Sequence, residues 1–268
     1  AVLNVLLKTT LYEWHHQHGD LPSLPTNTRE TLQRAAEQTE NTAFTEYVLD
    51  EIVWFADDVD LAPVLDARDW LLESGEPAEA IGRLYADLMS NDDRQLLGQF
   101  RTPPSVGTLM QAWAAGSDDR VLDPGMGAGV LSSPFHPQWD VSTDPAHVDG
   151  IDRSCLSHLM GTTALTLYGQ AHDLRATDFL DLSPDDLQRD VDGIICNPPY
   201  TSGDTLPAAY KDQINTQVEQ SVGREISARS PLHAYFIYHA RQFLSAGDRA
   251  AFLTPQSFLT THYGESLK

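Results

Sequence analysis

The chain has 268 residues, 41% of them hydrophobic, and its 39 acidic and 17 basic side chains give a formal net charge of −22. This length and apolar content suffice for one large folded domain, or a domain with an appendage, and argue against a disordered chain. No apolar run approaches the roughly 20 residues that span a bilayer. The N-terminus lacks a signal-peptide pattern, so we expect a cytoplasmic protein without a membrane partner.

Residues 1–95 show helical patterning with few strand signals. Apolar side chains recur three or four residues apart in two stretches of this region. They are Leu3, Leu6, Leu7, Leu11, Val48, Ile52, Phe55 and Val59. Polar segments rich in Pro or Gly at 19–27 and 74–77 separate the helices. We therefore predict an α-helical N-terminal region.

From residue 96 onward, strand, turn and helix patterns alternate. Strands are predicted at 120–123, 147–152, 194–196 and 250–253, with helices at 156–168 and 232–244. This alternation implies an α/β fold, with a doubly wound, mostly parallel Rossmann-like sheet over residues 96–268.

The tetrapeptide Asn197-Pro198-Pro199-Tyr200 follows an apolar run, at the point where a parallel strand would end. Ligands bind at such strand ends in open α/β sheets. The side-chain carbonyl of Asn and the main-chain carbonyl of Pro can both accept hydrogen bonds from one amino group, while the proline rings stiffen the turn. Tyr200 adds a flat face. The combination predicts a catalytic site for an exocyclic amino group on a planar ring.

A Gly-rich loop follows the first predicted strand and opens a helix. Gly125, Gly127 and Gly129 can turn sharply and let a ligand approach the backbone. Dinucleotide sites have such loops too. Here Asp123 precedes the glycines, which suits a ligand with an ammonium group rather than a pyrophosphate. The methionine part of S-adenosylmethionine carries that group.

Five residues that lie further along the chain complete the predicted cofactor-binding set. They are Asp152, Arg153, Asp178, Phe179 and Asn197. Asp152, with Arg153 beside it, ends the second strand, where a carboxylate can accept hydrogen bonds from two ribose hydroxyls. Asp178 can accept from the adenine amino group of the cofactor, and Phe179 can pack on the ring. The alternatives are a solvated aspartate at a strand end for Asp152 and an ordinary aspartate at a loop start for Asp178.

Upstream, Gly98-Gln99-Phe100-Arg101-Thr102-Pro103 precedes an apolar helix. The order of this segment, the Gly-rich loop, the two acids and the tetrapeptide resembles N6-adenine DNA methyltransferases of the gamma motif order. This group includes type I modification subunits and fused restriction-modification enzymes. The resemblance extends from about residue 81 to the C-terminus and implies that Phe100, Thr102 and Pro103 contact the methionine end of S-adenosylmethionine. Met126 departs from the family, where many members carry a small residue or Cys.

The resemblance implies a site-specific DNA methyltransferase, acting on the N6 amino group of a flipped adenine in a restriction-modification or phage-defence system. DNA is then the expected partner, with a specificity or restriction subunit, or a fused target-recognition domain. Three alternatives stay open: a protein glutamine methyltransferase, an RNA methyltransferase, and an assembly subunit that retains the fold without catalysis.

The net negative charge of the chain opposes binding to DNA, because DNA is itself a polyanion. The surface is either adapted to multimolar salt or never meets a polyanion. Because the acidic residues are spread along the whole chain, we favour the halophilic explanation, since at ~1 M salt the Debye length falls to about 3 Å. The chain begins at Ala1, and the last strands of the usual seven-stranded sheet are missing, so we expect a C-terminally truncated fragment.

Several other residues invite functional interpretations. His15, His16 and His18 lack Cys or acid partners at ligand spacing, so no metal site is predicted. The segment after the tetrapeptide is expected either to contact DNA phosphates through its basic residues or to form a mobile loop that orders on binding. Those basic residues are Lys211, Arg224 and Arg229. Tryptophans in amphipathic segments are interpreted as core anchors. They are Trp54, Trp70 and Trp113.

Overall fold

The computed structural model describes residues 1–23, 28–39, 41–48, 50–51, 62–88, 102–133, 145–223, 226–227 and 230–260. Some residues singled out from the sequence lie outside these ranges. They are Ile52, Trp54, Phe55, Val59, Phe100, Arg101, Arg224 and Arg229. Within the described ranges, no helix has the length and apolar character that crossing a bilayer requires.

Five parallel strands form one sheet in the part of the chain that the structure describes. They are β1 (Arg120–Pro124), β2 (His147–Asp152), β3 (His172–Ala176), β4 (Gly193–Cys196) and β5 (Arg249–Phe252). Their order is β3-β2-β1-β4-β5, with every neighbouring pair parallel. The chain runs outward from β1 to β3 and then crosses to β4, so the order reverses beside β1. This confirms the predicted doubly wound sheet and places a ligand crevice at the carboxyl ends of β1 and β4.

Strand β3 was not among the predicted strands. Its sequence, His-Asp-Leu-Arg-Ala, has one large aliphatic residue, and none of its side chains is fully buried. As one of the two edges of the described sheet, it pairs with β2 alone. An edge strand needs little apolar surface, so the hydrophobic pattern that marks the central strands is absent.

Eight α-helices lie within the described residues. They are α1 (Val2–Gln17), α2 (Thr28–Thr39), α3 (Ala62–Leu72), α4 (Pro77–Leu88), α5 (Pro104–Ala114), α6 (Cys155–Leu167), α7 (Ala208–Val222) and α8 (Leu232–Ala240). The first four form the N-terminal helical part, and α6 joins them in one apolar cluster. The helix predicted at 232–244 is α-helical only to Ala240. Residues 241–243 form a 3₁₀ turn instead.

Apolar residues of the central strands alternate between two helical layers, as the two-residue period of a strand requires. Leu122 and Ile194 pack with α7 and α8 on one face, whereas Val121 and Ile195 pack with α5 on the other. Helix α5 ends directly on β4. A Cβ atom on Gly193 would lie 2.2 Å from the carbonyl oxygen of Ala114, so this close approach requires glycine.

The expectation that Trp70 and Trp113 anchor the core was wrong. Their exposed fractions are 55% and 60%. Trp113 lies on the outward side of α5, and the Arg249 guanidinium sits 5.1 Å from its ring centroid. The apolar positions that face the core on this helix are instead Met110 and Ala114.

A buried polar network ties α1 to the segment that follows α2. The Lys8 ammonium lies 2.8 Å from an Asp50 carboxylate oxygen and donates to the Thr45 carbonyl, also at 2.8 Å. The Tyr47 hydroxyl donates to the Asn4 side-chain oxygen at 2.7 Å and lies 3.3 Å from the Cys155 carbonyl oxygen. The network therefore extends to the first turn of α6, next to the end of β2.

Candidate active site

The loops that follow β1 and β4 meet at the reversal of strand order. The Cys196 thiol donates to the Pro124 carbonyl at 2.9 Å, and a Cβ atom on Gly125 would lie 3.7 Å from the Asn197 carbonyl oxygen. Gly125, Gly127 and Gly129 all have positive φ angles, of 81°, 57° and 78°. Only glycine adopts this backbone readily, so these positions fix the loop against the tetrapeptide.

The Asn197 side chain is held at both ends. Its amide nitrogen donates to the Thr102 hydroxyl at 2.8 Å, and its carbonyl oxygen accepts from the Tyr200 hydroxyl at 2.6 Å. The Tyr200 ring packs edge-on against His233, with centroids 5.8 Å apart. Burial raises the pKa of Tyr200 to about 12, so its hydroxyl keeps its proton at neutral pH. Thr102 and Asn197 are thus in direct contact although 95 residues separate them.

A cavity of about 470 Å³ opens beside these loops. This volume lies within the range of small-molecule sites, roughly 300–1,000 Å³. Asn197, Pro198 and Pro199 line one wall, and Gly125 to Ala128 line another. The structure therefore brings three residues of the tetrapeptide and most of the Gly-rich loop to the same cavity, whereas Tyr200 and Gly129 are not among the lining residues. Pro103 is exposed at the start of α5 and is not among the lining residues, whereas Thr102 is.

Asp152 lies in the cavity wall and also braces the Gly-rich loop. Its carboxylate accepts from the main-chain nitrogen of Gly127 at 3.1 Å and of Ser154 at 2.8 Å. Burial raises its pKa, and the two main-chain hydrogen bonds oppose that effect. The Ser157 side chain is a third donor to Asp152. Since a carboxylate has about four acceptor sites, Asp152 retains capacity for a ligand hydroxyl. Arg153 also lines the cavity.

Asp123 is fully buried and is not among the residues that line the cavity. One carboxylate oxygen accepts from the Ser132 hydroxyl at 2.5 Å, and the other has no hydrogen-bond donor among the described residues. Burial raises the pKa of Asp123 to about 7, the Ser132 hydrogen bond lowers it, and the negative charge of Asp152 raises it. An incompletely paired carboxyl group with a raised pKa therefore lies directly before the Gly-rich loop.

Asp178 is engaged by protein groups. Its carboxylate accepts from the Tyr210 hydroxyl at 2.8 Å and from the main-chain nitrogen of Leu180 at 3.0 Å, and it lies 3.4 Å from Arg153. Asp178 is not among the lining residues, unlike its neighbours Thr177 and Phe179. The structure brings Phe179 to the cavity and leaves the predicted contact between Asp178 and the cofactor a prediction.

Sequence reasoning did not assign three contributions to this site. Phe236 on α8 lines the cavity, with its ring centroid 5.3 Å from that of Phe179. Helix α4 contributes Gly82 and Tyr85 to the lining. Helix α7 docks on the adjoining loop through Tyr210, so the segment after the tetrapeptide is largely helical rather than a long loop. Such contacts between distant segments leave no periodic pattern in a single sequence.

Met126 fits because two glycines make room for it. It is buried, and a Cβ atom on Gly150 or Gly161 would lie 2.2 Å or 3.1 Å from its sulfur. The Met126 side chain thus fills the space that side chains on β2 and α6 would otherwise occupy. The absence of side chains at Gly150 and Gly161 therefore allows the Gly-rich loop to hold Met126 in place of a smaller residue.

The strand order, with a Gly-rich loop after β1 and a turn after β4 at the same edge, is the fold of Rossmann-like methyltransferases. Residues 164–268 match the family model described as "Eco57I restriction-modification methylase". The chain is 26% identical over 198 residues to the Type II methyltransferase M.AccI of Acinetobacter calcoaceticus. The aligned region covers 70% of this chain and 33% of that relative. The chain thus spans about a third of the length of the curated relatives it matches.

Solved structures show the same fold at low sequence identity. The type IIG restriction endonuclease BpuSI has a TM-score of 0.64 and 16% identity, covering 99% of this chain and 33% of that one. The methyltransferase subunit of a type I restriction-modification system from Streptococcus thermophilus has a TM-score of 0.56 and 18% identity, covering 98% and 58%. These structures confirm the predicted fold, and the family match, together with the curated relatives, confirms the predicted resemblance to restriction-modification methyltransferases.

Proposed function

We propose that this chain is the catalytic core of a site-specific DNA methyltransferase that modifies the N6 amino group of a flipped adenine in a restriction-modification or phage-defence system. The observation that carries the proposal is the meeting of Asn197 and Pro198 with the Gly-rich loop in one cavity. Two carbonyl acceptors for an amino group therefore stand beside a site suited to a methyl donor.

The residues around the cavity fit S-adenosylmethionine. Phe179 and Phe236 form an aromatic wall for its adenine, and Asp152 has acceptor capacity for a ribose hydroxyl. Asp123 does not line the cavity, so its incompletely paired carboxylate, when ionised, would favour a ligand ammonium group through its charge and not by contact. When bound, the cofactor supplies an electrophilic methyl group on a sulfonium, so the protein has only to orient the acceptor nitrogen.

Asn197 and Pro198 perform that orientation in the proposed mechanism. Their carbonyl oxygens accept hydrogen bonds from the two N–H groups of the target amino group. This arrangement favours a pyramidal nitrogen with its lone pair directed at the methyl donor. The same oxygens stabilise the positive charge that develops on this nitrogen during transfer. No separate general base is needed to make the nitrogen nucleophilic, and the proton that the methylated nitrogen then loses passes to solvent.

A base stacked inside a duplex cannot reach this cavity, so the target must leave the helix. Tyr200 is the proposed stacking platform for the extruded base. Stacking on an aromatic side chain contributes about 1–3 kcal/mol per base in single-strand binders.

Cofactor affinity is expected to rise with pH because of Asp123. Its pKa of about 7 means that the carboxyl is mostly protonated at pH 6, and a bound ammonium group favours the ionised form. Between about pH 5.5 and 7 the affinity should increase by up to roughly tenfold per pH unit, below the range in which the amine of the ligand loses its own proton. Isothermal titration calorimetry with S-adenosylmethionine measures this dependence.

The matched variant is Asp123→Asn, which keeps the shape of the side chain but removes the titrating group. Its affinity should be lower near neutral pH and nearly independent of pH. An equally steep pH dependence in Asp123→Asn would assign the effect to another group.

The base and the polymer are tested by product analysis. The protein, expressed at the full length of its gene, is incubated with unmethylated DNA and S-adenosylmethionine carrying a labelled methyl group. The DNA is then digested to nucleosides, and the expected label is in N6-methyladenine. Label in a cytosine derivative, in RNA or in protein glutamine supplied in parallel would contradict the proposal, as would binding of the cofactor without any transfer.

A further inference from the structure

The Thr102 hydroxyl contacts the catalytic tetrapeptide, a contact that no sequence motif predicts. Thr102 is buried, and its oxygen accepts from the Asn197 amide nitrogen at 2.8 Å. The next residue, Pro103, has the extended backbone that precedes α5, and proline also restricts the residue before it. Thr102 therefore presents its hydroxyl from a backbone with little freedom.

An amide side chain has one accepting end and one donating end, and only the accepting end serves an amino target. A hydroxyl can satisfy either end. Once the target amino group is present, however, the satisfied arrangement has the Asn197 oxygen on the target and its nitrogen on Thr102. Without the hydroxyl, the half-buried amide nitrogen of Asn197 would lose this acceptor. If the amide then rotated, its N–H donors would face the N–H donors of the target, and no hydrogen bond could form between them.

We propose that Thr102 is a positioning residue for methyl transfer, which holds the Asn197 amide with its oxygen toward the target amino group. This inference rests on the proposed function of the same site. It differs from the cofactor contact that the family resemblance implies for Thr102, because a cofactor ligand acts on affinity for S-adenosylmethionine whereas a positioning residue acts on the transfer rate.

Thr102→Val removes the hydroxyl and keeps the branched shape of the side chain. Single-turnover transfer to DNA, with DNA and S-adenosylmethionine saturating, should slow by about 10- to 100-fold. The dissociation constant for S-adenosylmethionine, measured by calorimetry on the same full-length protein, should change by less than about threefold. Thr102→Ser, which restores the hydroxyl, should recover most of the rate even if the valine variant folds poorly.

Thr108→Val is the matched control, since Thr108 is a buried threonine on the adjoining helix α5 and is not among the lining residues of the cavity. Its transfer rate should equal that of the wild type. Weakened cofactor binding in Thr102→Val with a normal rate at saturation would overturn the proposal, and so would a serine variant as slow as the valine variant. A wild-type protein that methylates no adenine would instead refute the proposed function, and this inference with it.

Discussion

Replacing Asn197 with alanine is expected to lower the single-turnover rate of methyl transfer by roughly 10²- to 10³-fold or more, the scale seen when one preorganised polar group is removed from a transition-state site. The side chain supplies one of the two proposed acceptors for the target amino group. It also donates to Thr102 and accepts from Tyr200, and it is only half-buried, so the loss should fall on chemistry rather than on folding.

The affinity for S-adenosylmethionine separates this effect from a damaged site. Calorimetry should give a dissociation constant within a few-fold of the wild-type value, because Asp152, Phe179 and the Gly-rich loop are unchanged. Asn215→Ala is the matched control. Asn215 accepts a hydrogen bond from Tyr235 at 2.7 Å and is not among the cavity residues, so its rate should stay normal. Near wild-type turnover in Asn197→Ala would refute the proposed mechanism.

The central part of the fold is predictable from sequence because its strands are buried. Val121, Leu122, Ile194 and Ile195 are all fully buried, so these strands carry continuous apolar runs bounded by turns. The edge strand β3 has no such run, and the two-residue period cannot reveal it. Buried central strands therefore leave a readable pattern. The other edge strand, β5, was predicted because three apolar residues follow Arg249 in it, whereas β3 has only one large aliphatic residue.

The parts of the candidate site that were predictable are short motifs of neighbouring residues. The Gly-rich loop and the tetrapeptide each follow a strand, and parallel strands place their carboxyl ends at one edge. The bond between Thr102 and Asn197, the docking of Tyr210 on Asp178 and the position of Phe236 depend on tertiary packing. Asp123 shows the same limit, since its place before the glycines was visible in the sequence but its complete burial was not.

Truncating Asp50 to alanine is expected to destabilise the N-terminal helical part by about 3–5 kcal/mol, the usual cost of breaking a buried ion pair. Lys8 and Asp50 are each 2% exposed. The ammonium would lose its carboxylate and keep two main-chain carbonyls, those of Phe44 and Thr45. Burial already lowers the pKa of Lys8, with Asp50 opposing that effect, so without Asp50 the charged form becomes still less favourable.

Urea unfolding at neutral pH measures this cost. Adding Lys8→Met to the Asp50→Ala variant removes the stranded charge and should recover much of the lost free energy of unfolding. The exposed pair of Arg34 with Glu30 on α2 provides the matched control, and Glu30→Ala should cost no more than about 0.5 kcal/mol.

Because the Tyr47 main-chain nitrogen donates to Asp50 at 3.0 Å and the Tyr47 hydroxyl lies 3.3 Å from the Cys155 carbonyl oxygen, the Asp50→Ala variant should also loosen the start of α6 beside the cavity. A double variant no more stable than Asp50→Ala alone would show that the network, rather than the buried charge, sets the cost.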